Sequence, residues 1–220
     1  MKFTELLLEL PLLQGMSRTD INEVVAHTKL GFHKVTQGKE VIAAGDACTQ
    51  LYMLFKGAIR VHAFSDDRSF TFSEDIKAPD ILQPECIFGI TQRYTKTFQA
   101  VTECHFIRLE KSEVRRLSTE YEIFRINLLN IICTQSQRSA RIAWRVPPEG
   151  IRNKIVRFME DHSIRPIGRK ELDIRQEDFA RHIEESRKNL SRELNMMEKE
   201  GLIELNRGRI IIPALEKLRA

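Results

Sequence analysis

Between Ser186 and Gly201 the sequence reads SRKNLSRELNMMEKEG. Arg187, Lys188, Ser191, Arg192 and Asn195 recur there at helical spacing. At ~100° per residue they fall within an arc of about 140°. Leu190, Leu194 and Met197 fall together on another side. The arginine fork matches the two acceptors on a guanine edge, so this face could hydrogen-bond to an acceptor-rich groove. A merely solvated helix face has the same composition. The neighbouring elements must decide between the two.

Those neighbours have a definite order. RQEDFARHI, residues 175–183, predicts a short helix with Phe179, Ala180 and Ile183 inward. A tight link, Glu184-Glu185, leads to Ser186, a good N-cap for the second helix. Two short helices so joined predict a helix-turn-helix whose second helix enters a major groove. After Gly201, Leu202–Leu205 and Arg209–Ile212 read as strands around the turn Asn206-Arg207-Gly208, a wing. Arg207 and Arg209 at its tip are placed to meet phosphates. Arg175, at the start of the first helix, joins the set expected to face DNA.

Upstream, Leu117, Tyr121, Phe124, Leu128, Ile131, Gln135, Arg138 and Ile142 are spaced alternately by four and three. This heptad stripe predicts a long helix that pairs with its own copy, with Ser118 or Thr119 as cap. The stripe stops at Val146-Pro147-Pro148, because proline lacks an amide donor and restricts its predecessor. Val146 to Gly150 therefore reads as a hinge. From Leu30 to Glu110, short apolar runs divided by Gly and Asp predict an all-β barrel or jelly roll. Gly38, Gly45 and Gly57 are assigned to its turns. Ser17 is the expected N-cap of a helix over SRTDINEVVAHT, and MKFTELLLELPLLQGM reads as an amphipathic helix rather than a leader. The fold class is α+β, with three parts: 1–117 an effector-type β domain with N-terminal helices, 118–146 a dimerisation helix and hinge, and 147–220 a winged helix-turn-helix.

Bulk properties exclude more than they assign. Of 220 residues 42% are hydrophobic and 30% charged, enough for two cored domains. No run of about 18 apolar residues predicts a membrane span. The net charge is +4, and from Pro147 onward 16 Lys and Arg oppose 14 Asp and Glu, so only local arrangement can mark a nucleic-acid binder. Cys48, Cys86, Cys104 and Cys133 form no C-x-x-C pair and read as reduced buried thiols; a thiol or metal sensor built from Cys86, Cys104 and His105 is the alternative. No nucleophile–base pair, P-loop, G-x-S-x-G or metal-ligand spacing exists, so no catalytic or metal site is expected and the chain does not read as an enzyme.

The stretch IRQEDFARHIEESRKNLSRELNMMEKEGLIELNRGRIII and the stretch AGDACTQLYMLFKGAIRVHAF resemble the Crp/Fnr family of bacterial transcription regulators, over nearly the whole chain. The resemblance implies a homodimeric, cytoplasmic transcription regulator. It would bind a palindromic double-stranded DNA operator and contact RNA polymerase, and no membrane. It implies operator contacts for Arg187 and Arg192, with Ser191 a further base contact. Many members carry Glu where this chain has Lys188, and lysine cannot accept from cytosine. Cyclic-nucleotide-binding members use a Gly-Glu pair followed by Arg-Ser or Arg-Thr. Motif alignment sets Phe88-Gly89 and Tyr94-Thr95 at those places, so the cAMP grip is expected to be missing. No cofactor is assigned; an unknown small effector would meet Phe88, Gly89, Tyr94, Thr95, Gln135 and Ser136. No N-terminal cysteine cluster stands ready for iron–sulfur. The competing reading is a ligand-sensing protein that works through protein contacts rather than DNA.

Overall fold

In a computed structural model, which describes residues 3–219, the chain divides into two compact units. The first comprises residues 1–60 and 76–143, the second residues 61–75 and 144–220. The chain thus passes between the units three times, at 60–61, 75–76 and 143–144. The sequence reading assigns the segment Val61–Asp75 to the first domain; the structure differs, because its strand pairs with the second unit.

The first unit opens with helices α1 (Phe3–Leu8) and α2 (Arg18–His27). Met1 and Lys2, part of the expected N-terminal helix, lie outside the described residues. Ser17 caps α2 as expected: its Oγ accepts from Asp20 N at 3.0 Å, and Asp20 returns the bond to Ser17 N at 3.3 Å. Strands β1 (Gly31–Val35), β2 (Glu40–Ile42), β3 (Gln50–Lys56) and β4 (Ala58–Phe64) follow. Then come β5 (Phe70–Lys77), β6 (Asp80–Leu82), β7 (Thr97–Ala100) and β8 (Cys104–Glu110). Antiparallel pairing gives the order β1-β8-β3-β6 in one sheet, and β2 pairs with β7 in the other. The sheets do not close, so this is a jelly-roll arrangement rather than a barrel. Gly57 (φ +101°) joins β3 to β4 where a Cβ would collide with the Glu103 carbonyl and the Cys104 sulfur.

Helices α3 (Lys111–Glu120) and α4 (Glu122–Ile142) complete this unit. Here the expected dimer stripe needs correction. Leu117 and Phe124 are 0% exposed and Leu128 6%, packed with Leu7, Leu10, Met53 and Ile107 in the unit's own core. Tyr121 and Ile131 lean on the same core. A side chain closed in its own core cannot also fill a hole in a second copy. Ser118 is not the cap either: Tyr121 takes that position, and Ser118 Oγ donates back to Val114 O at 2.7 Å.

The second unit has α5 (Ile151–His162), β9 (Lys170–Ile174), α6 (Gln176–His182), α7 (Arg187–Lys199), β10 (Glu204–Asn206) and β11 (Arg209–Ile212). Residues 146–150 carry no regular structure, consistent with the two prolines that end the helix, and Gly150 (φ +79°) precedes α5. The sheet order is β10-β11-β9-β5-β4, so the hairpin from the segment 61–75 completes it. Phe70, Phe72, Phe158, Leu172, Phe179, Leu190, Leu194 and Met197 share one core.

Candidate nucleic-acid interface and effector cassette

The two-helix unit is built as its sequence pattern requires. Leu190, Leu194 and Met197 are fully buried, against Phe179, Ala180 and Ile183. Ser186 Oγ accepts from Asn189 N at 3.1 Å and starts α7. The link turns through Glu184 in the left-handed region (φ 54°), which costs a non-glycine residue about 1–3 kcal/mol. Lys154 of α5 holds that link, with Nζ 2.8 Å from Glu185 Oε1. Arg152, also of α5, clamps the back of α7: it meets Glu193 at 2.7 Å and Glu200 at 2.7 and 2.8 Å. The Glu200 pairing first, then Glu193, holds its guanidinium firmly charged. Neither Lys154 nor Arg152 stands out in the sequence, since their partners lie 31 to 48 residues away.

The opposite face is open. Arg187, Lys188, Arg192 and Asn195 are exposed, and Ser191 is half-buried. Among the described residues Lys188 and Arg192 have no ion-pair partner. Arg187 meets Glu177 of α6 at 3.0 Å, both side chains about two-thirds exposed, so the pair is weak and exchangeable. Asn195 Nδ2 donates to Ser191 O at 2.7 Å, which leaves its carbonyl oxygen free to accept. Met196, 47% exposed, lies beside Arg192 on this face and escapes a search limited to polar residues.

Next to this face α6, α7 and the wing enclose a concavity of about 660 Å³, lined by Arg175, Gln176, Glu177, Arg187, Asn206, Arg207 and Gly208. Three sequence-predicted arginines, Arg175, Arg187 and Arg207, are thus brought together. Gln176 and Asn206 are additions the sequence reading missed; their places at a helix start and beside a turn are the signals that could have found them. The wing turns tightly, Asn206 pairing with Arg209 around Arg207-Gly208 (Gly208 φ +74°). Arg209 is already engaged within the wing sheet. Its guanidinium is bound by Asp173, through Nε to Oδ1 and through Nη2 to Oδ2 at 3.1 Å, and Glu171 lies 3.7 Å from Nη1. It ties the wing to β9 with its charge compensated.

The predicted effector residues divide. Between β6 and β7 the chain makes a single 3₁₀ turn, Pro84–Cys86, entered by Gln83 in the left-handed region (φ 37°). This turn, with Glu85 as its carboxylate, stands ahead of the Phe88-Gly89 pair chosen by motif alignment. Phe88 is part-exposed under the Lys111 ammonium, 5.3 Å from its ring centroid, and Gly89 is exposed. Tyr94 is buried; its hydroxyl donates to Gln50 O at 2.6 Å, and burial, then the neighbouring Cys48, pushes its pKa above the usual phenol range. Arg93 donates to Gly45 O at 2.7 Å.

Gln83 takes up the backbone donors on the far side of this turn. Its Oε1 accepts from the amides of Thr95 and Lys96, each at 3.1 Å. Its Nε2 donates to Thr95 Oγ1 at 2.7 Å and Glu85 Oε1 at 3.3 Å. The Thr95 and Lys96 amides are thereby bonded within the chain rather than offered to a ligand. Gln135 and Ser136 are on α4, away from those bonds in sequence; Gln135 Oε1 is buried with no hydrogen-bond partner among the described residues, and Ser136 is exposed.

The cysteines have ordinary surroundings. Cys48, Cys86 and Cys104 are buried and Cys133 is exposed. Burial pushes the Cys86 thiol up to about 11 and raises Cys48 and Cys104, so all three stay protonated and unreactive. Among the described residues no three His, Cys, Asp or Glu side chains are grouped to hold a metal ion, and no helix is long and apolar enough to cross a membrane.

Comparison with known proteins finds two domain models along the sequence, the first running through residues 61–75. A model of the cyclic nucleotide-binding domain matches residues 32–121, and a model of the Crp-like helix-turn-helix domain matches residues 153–220. No curated protein matches the sequence. Among solved structures, a crp/fnr-family transcriptional regulator from Eubacterium rectale is 20% identical with a TM-score of 0.53, covering 96% of this chain and 97% of its own. The catabolite activator protein of Thermus thermophilus is 15% identical with a TM-score of 0.50, covering 95% and 96%. The c-di-GMP responsive global regulator CLP of Xanthomonas campestris is 15% identical with a TM-score of 0.50, covering 90% and 99%. At these identities the structural likeness establishes the fold alone. The two domain models, in this order and together spanning most of the sequence, establish that the chain belongs to the Crp/Fnr family of transcription regulators.

Proposed function

We propose that this regulator acts as a homodimer on a palindromic double-stranded operator, with α7 in the major groove of each half-site. The observation that carries the reading is the exposed donor face of α7 beside one concavity lined by Arg175, Arg187 and Arg207. Arg187, Lys188, Ser191, Arg192 and Asn195 face base edges; Arg175 and Arg207 hold phosphates, with Arg209 in a supporting role. The dimer contact runs along the other side of α4. Ile126 (44% exposed), Leu129 (48% exposed) and the exposed Cys133, Gln137 and Ala140 form a stripe there, roughly opposite Leu128 at ~100° per residue. Family resemblance supports RNA polymerase as a partner and a cytoplasmic location. In functional terms the parts remain 1–117 for sensing, 118–146 for dimerisation and 147–220 for DNA.

The first unit senses a small effector other than a cyclic nucleotide, or none; Gln83 supports this reading. Genome-wide binding-site selection with the full-length protein tests the whole. A palindrome with half-sites one helical turn apart, about 34 Å, is the expected result. Binding with no sequence preference would overturn it and favour a regulator acting through protein contacts.

A further inference from the structure

The segment Val61–Asp75 is part of the second unit although the sequence on either side of it belongs to the first. Five residues of β5 pair with β9, in the register Phe70↔Ile174, Thr71↔Asp173, Phe72↔Leu172, Ser73↔Glu171 and Glu74↔Lys170. The other edge of β9 pairs with the wing strand β11, from Arg209↔Asp173 to Ile212↔Lys170. β9 is therefore the strand shared by hairpin and wing.

The two ends of this ladder are fixed by different chemistry. At one end Lys170 and Glu74 are 1% and 3% exposed, with Nζ 2.7 Å from Oε2. Lys170 Nζ also donates to Ile167 O at 2.9 Å. Glu74 accepts from the amides of Ile164 and Arg165, at 2.5 and 3.1 Å, and so closes the loop between α5 and β9. At the other end the Phe70 ring meets His162 of α5 at 5.1 Å and His182 of α6 at 5.2 Å, both edge-on at 87°. Ser69 Oγ and His182 Nε2 are 3.2 Å apart.

These contacts all depend on the pairing of β5 with β9. Withdrawing β5 takes the carboxylate from Lys170 and from the Ile164 and Arg165 amides, and removes Phe70 and Phe72 from the core of α6 and α7. It also frees one edge of the strand whose Asp173 and Glu171 hold Arg209 on the wing.

We propose that the hairpin Val61–Asp75 is a latch for operator binding: recognition helix and wing keep their DNA-binding arrangement only while β5 is paired with β9. The proposal rests on the DNA-binding reading above. Both ends of the hairpin run straight into the first unit, so a change there that draws on β4 or β5 is read out as operator affinity.

The test uses full-length protein, its selected operator, and amide hydrogen exchange. Glu74→Gln leaves the Lys170 ammonium unpaired. It should lower operator affinity by about ten-fold or more and speed exchange in β9, β11 and the α6–α7 link, with α4 and β8 unchanged. Glu74→Gln with Lys170→Met removes both charges and should return affinity to within about three-fold of the wild type. Phe70→Leu, which keeps an apolar side chain, should lower affinity about three-fold and decides the matter if Glu74→Gln does not fold. A folded Glu74→Gln protein that melts earlier yet binds its operator like the wild type shows a structural ion pair only, and overturns the latch. So does a Phe70→Leu protein with unchanged affinity and exchange. Failure of the wild type to select any operator would instead sink the DNA-binding reading.

Discussion

Gln83 holds Thr95 through both halves of its carboxamide: Oε1 accepts from the Thr95 amide at 3.1 Å, and Nε2 donates to its hydroxyl at 2.7 Å. The Thr95 amide and hydroxyl are thus both engaged by a side chain of the same protein. Calorimetry of the wild type with cAMP should show no binding in the micromolar range, and a submicromolar constant would refute the assignment. Gln83→Ala should cost about 1–3 kcal/mol of stability, because the Thr95 and Lys96 amides lose a buried acceptor. Denaturant unfolding measures that directly.

The exposed stripe on α4 makes a prediction opposite in sense to the heptad reading. Ile126→Glu with Leu129→Glu should give a folded monomer with weak operator binding. Leu128→Glu should instead unfold the first unit, since burying an unpaired charge there costs several kcal/mol. Sedimentation and circular dichroism on the two proteins separate these outcomes. In the wild type, mild oxidation should cross-link Cys133 to its counterpart; a Leu128→Glu protein that is folded and monomeric would restore the heptad seam.

Base and phosphate contacts should separate by their salt dependence. Removing Arg187 or Arg192 should cost about 1–3 kcal/mol and relax choice at one base per half-site. Arg207→Ala should weaken all sequences alike and lower the salt slope by ~0.9 per contact. Arg209→Ala should change that slope less, because Asp173 and Glu171 already compensate its charge. Lys188→Glu should shift preference at one position toward cytosine on one strand. Identical selected sites from Lys188→Glu and wild type would mean that Lys188 does not face the groove.

Acid should weaken the second unit through His162. Burial lowers its pKa from the usual 6.5 and a further downward push comes from His182, against upward pulls from the Phe158 carbonyl and Asp161. The unfolded chain therefore takes up a proton at higher pH than the folded one. Stability is full above about 6.5 and is lost as pH falls through the lowered folded value, by at most about 1.4 kcal/mol per pH unit. Urea unfolding at about pH 7.5 and 5 should show the loss. His162→Phe should flatten it; an unchanged slope in that variant would assign the effect to other groups.

The sequence by itself determined the helix-turn-helix, the wing and the break in helix at the proline pair. Each is coded within about twenty residues, by periodicity, an N-cap serine, a turn glycine or a proline pair. The arginines that line the concavity were legible for the same reason, because local spacing fixes the face on which they project. Tertiary structure decided what required partners far along the chain. Leu117, Phe124 and Leu128 have the spacing of a dimer seam, yet periodicity reports only that a face is apolar, not what covers it; the core of the first unit does. Phe88-Gly89 matched a motif by position, while the turn at Gln83 was fixed by its bonds to Thr95 and Lys96, twelve and thirteen residues on. Arg209 could not be told from Arg207 until Asp173 was brought opposite it by strand register. Glu74 and Lys170 stand 96 residues apart, and only the pairing of β5 with β9 makes them one buried contact.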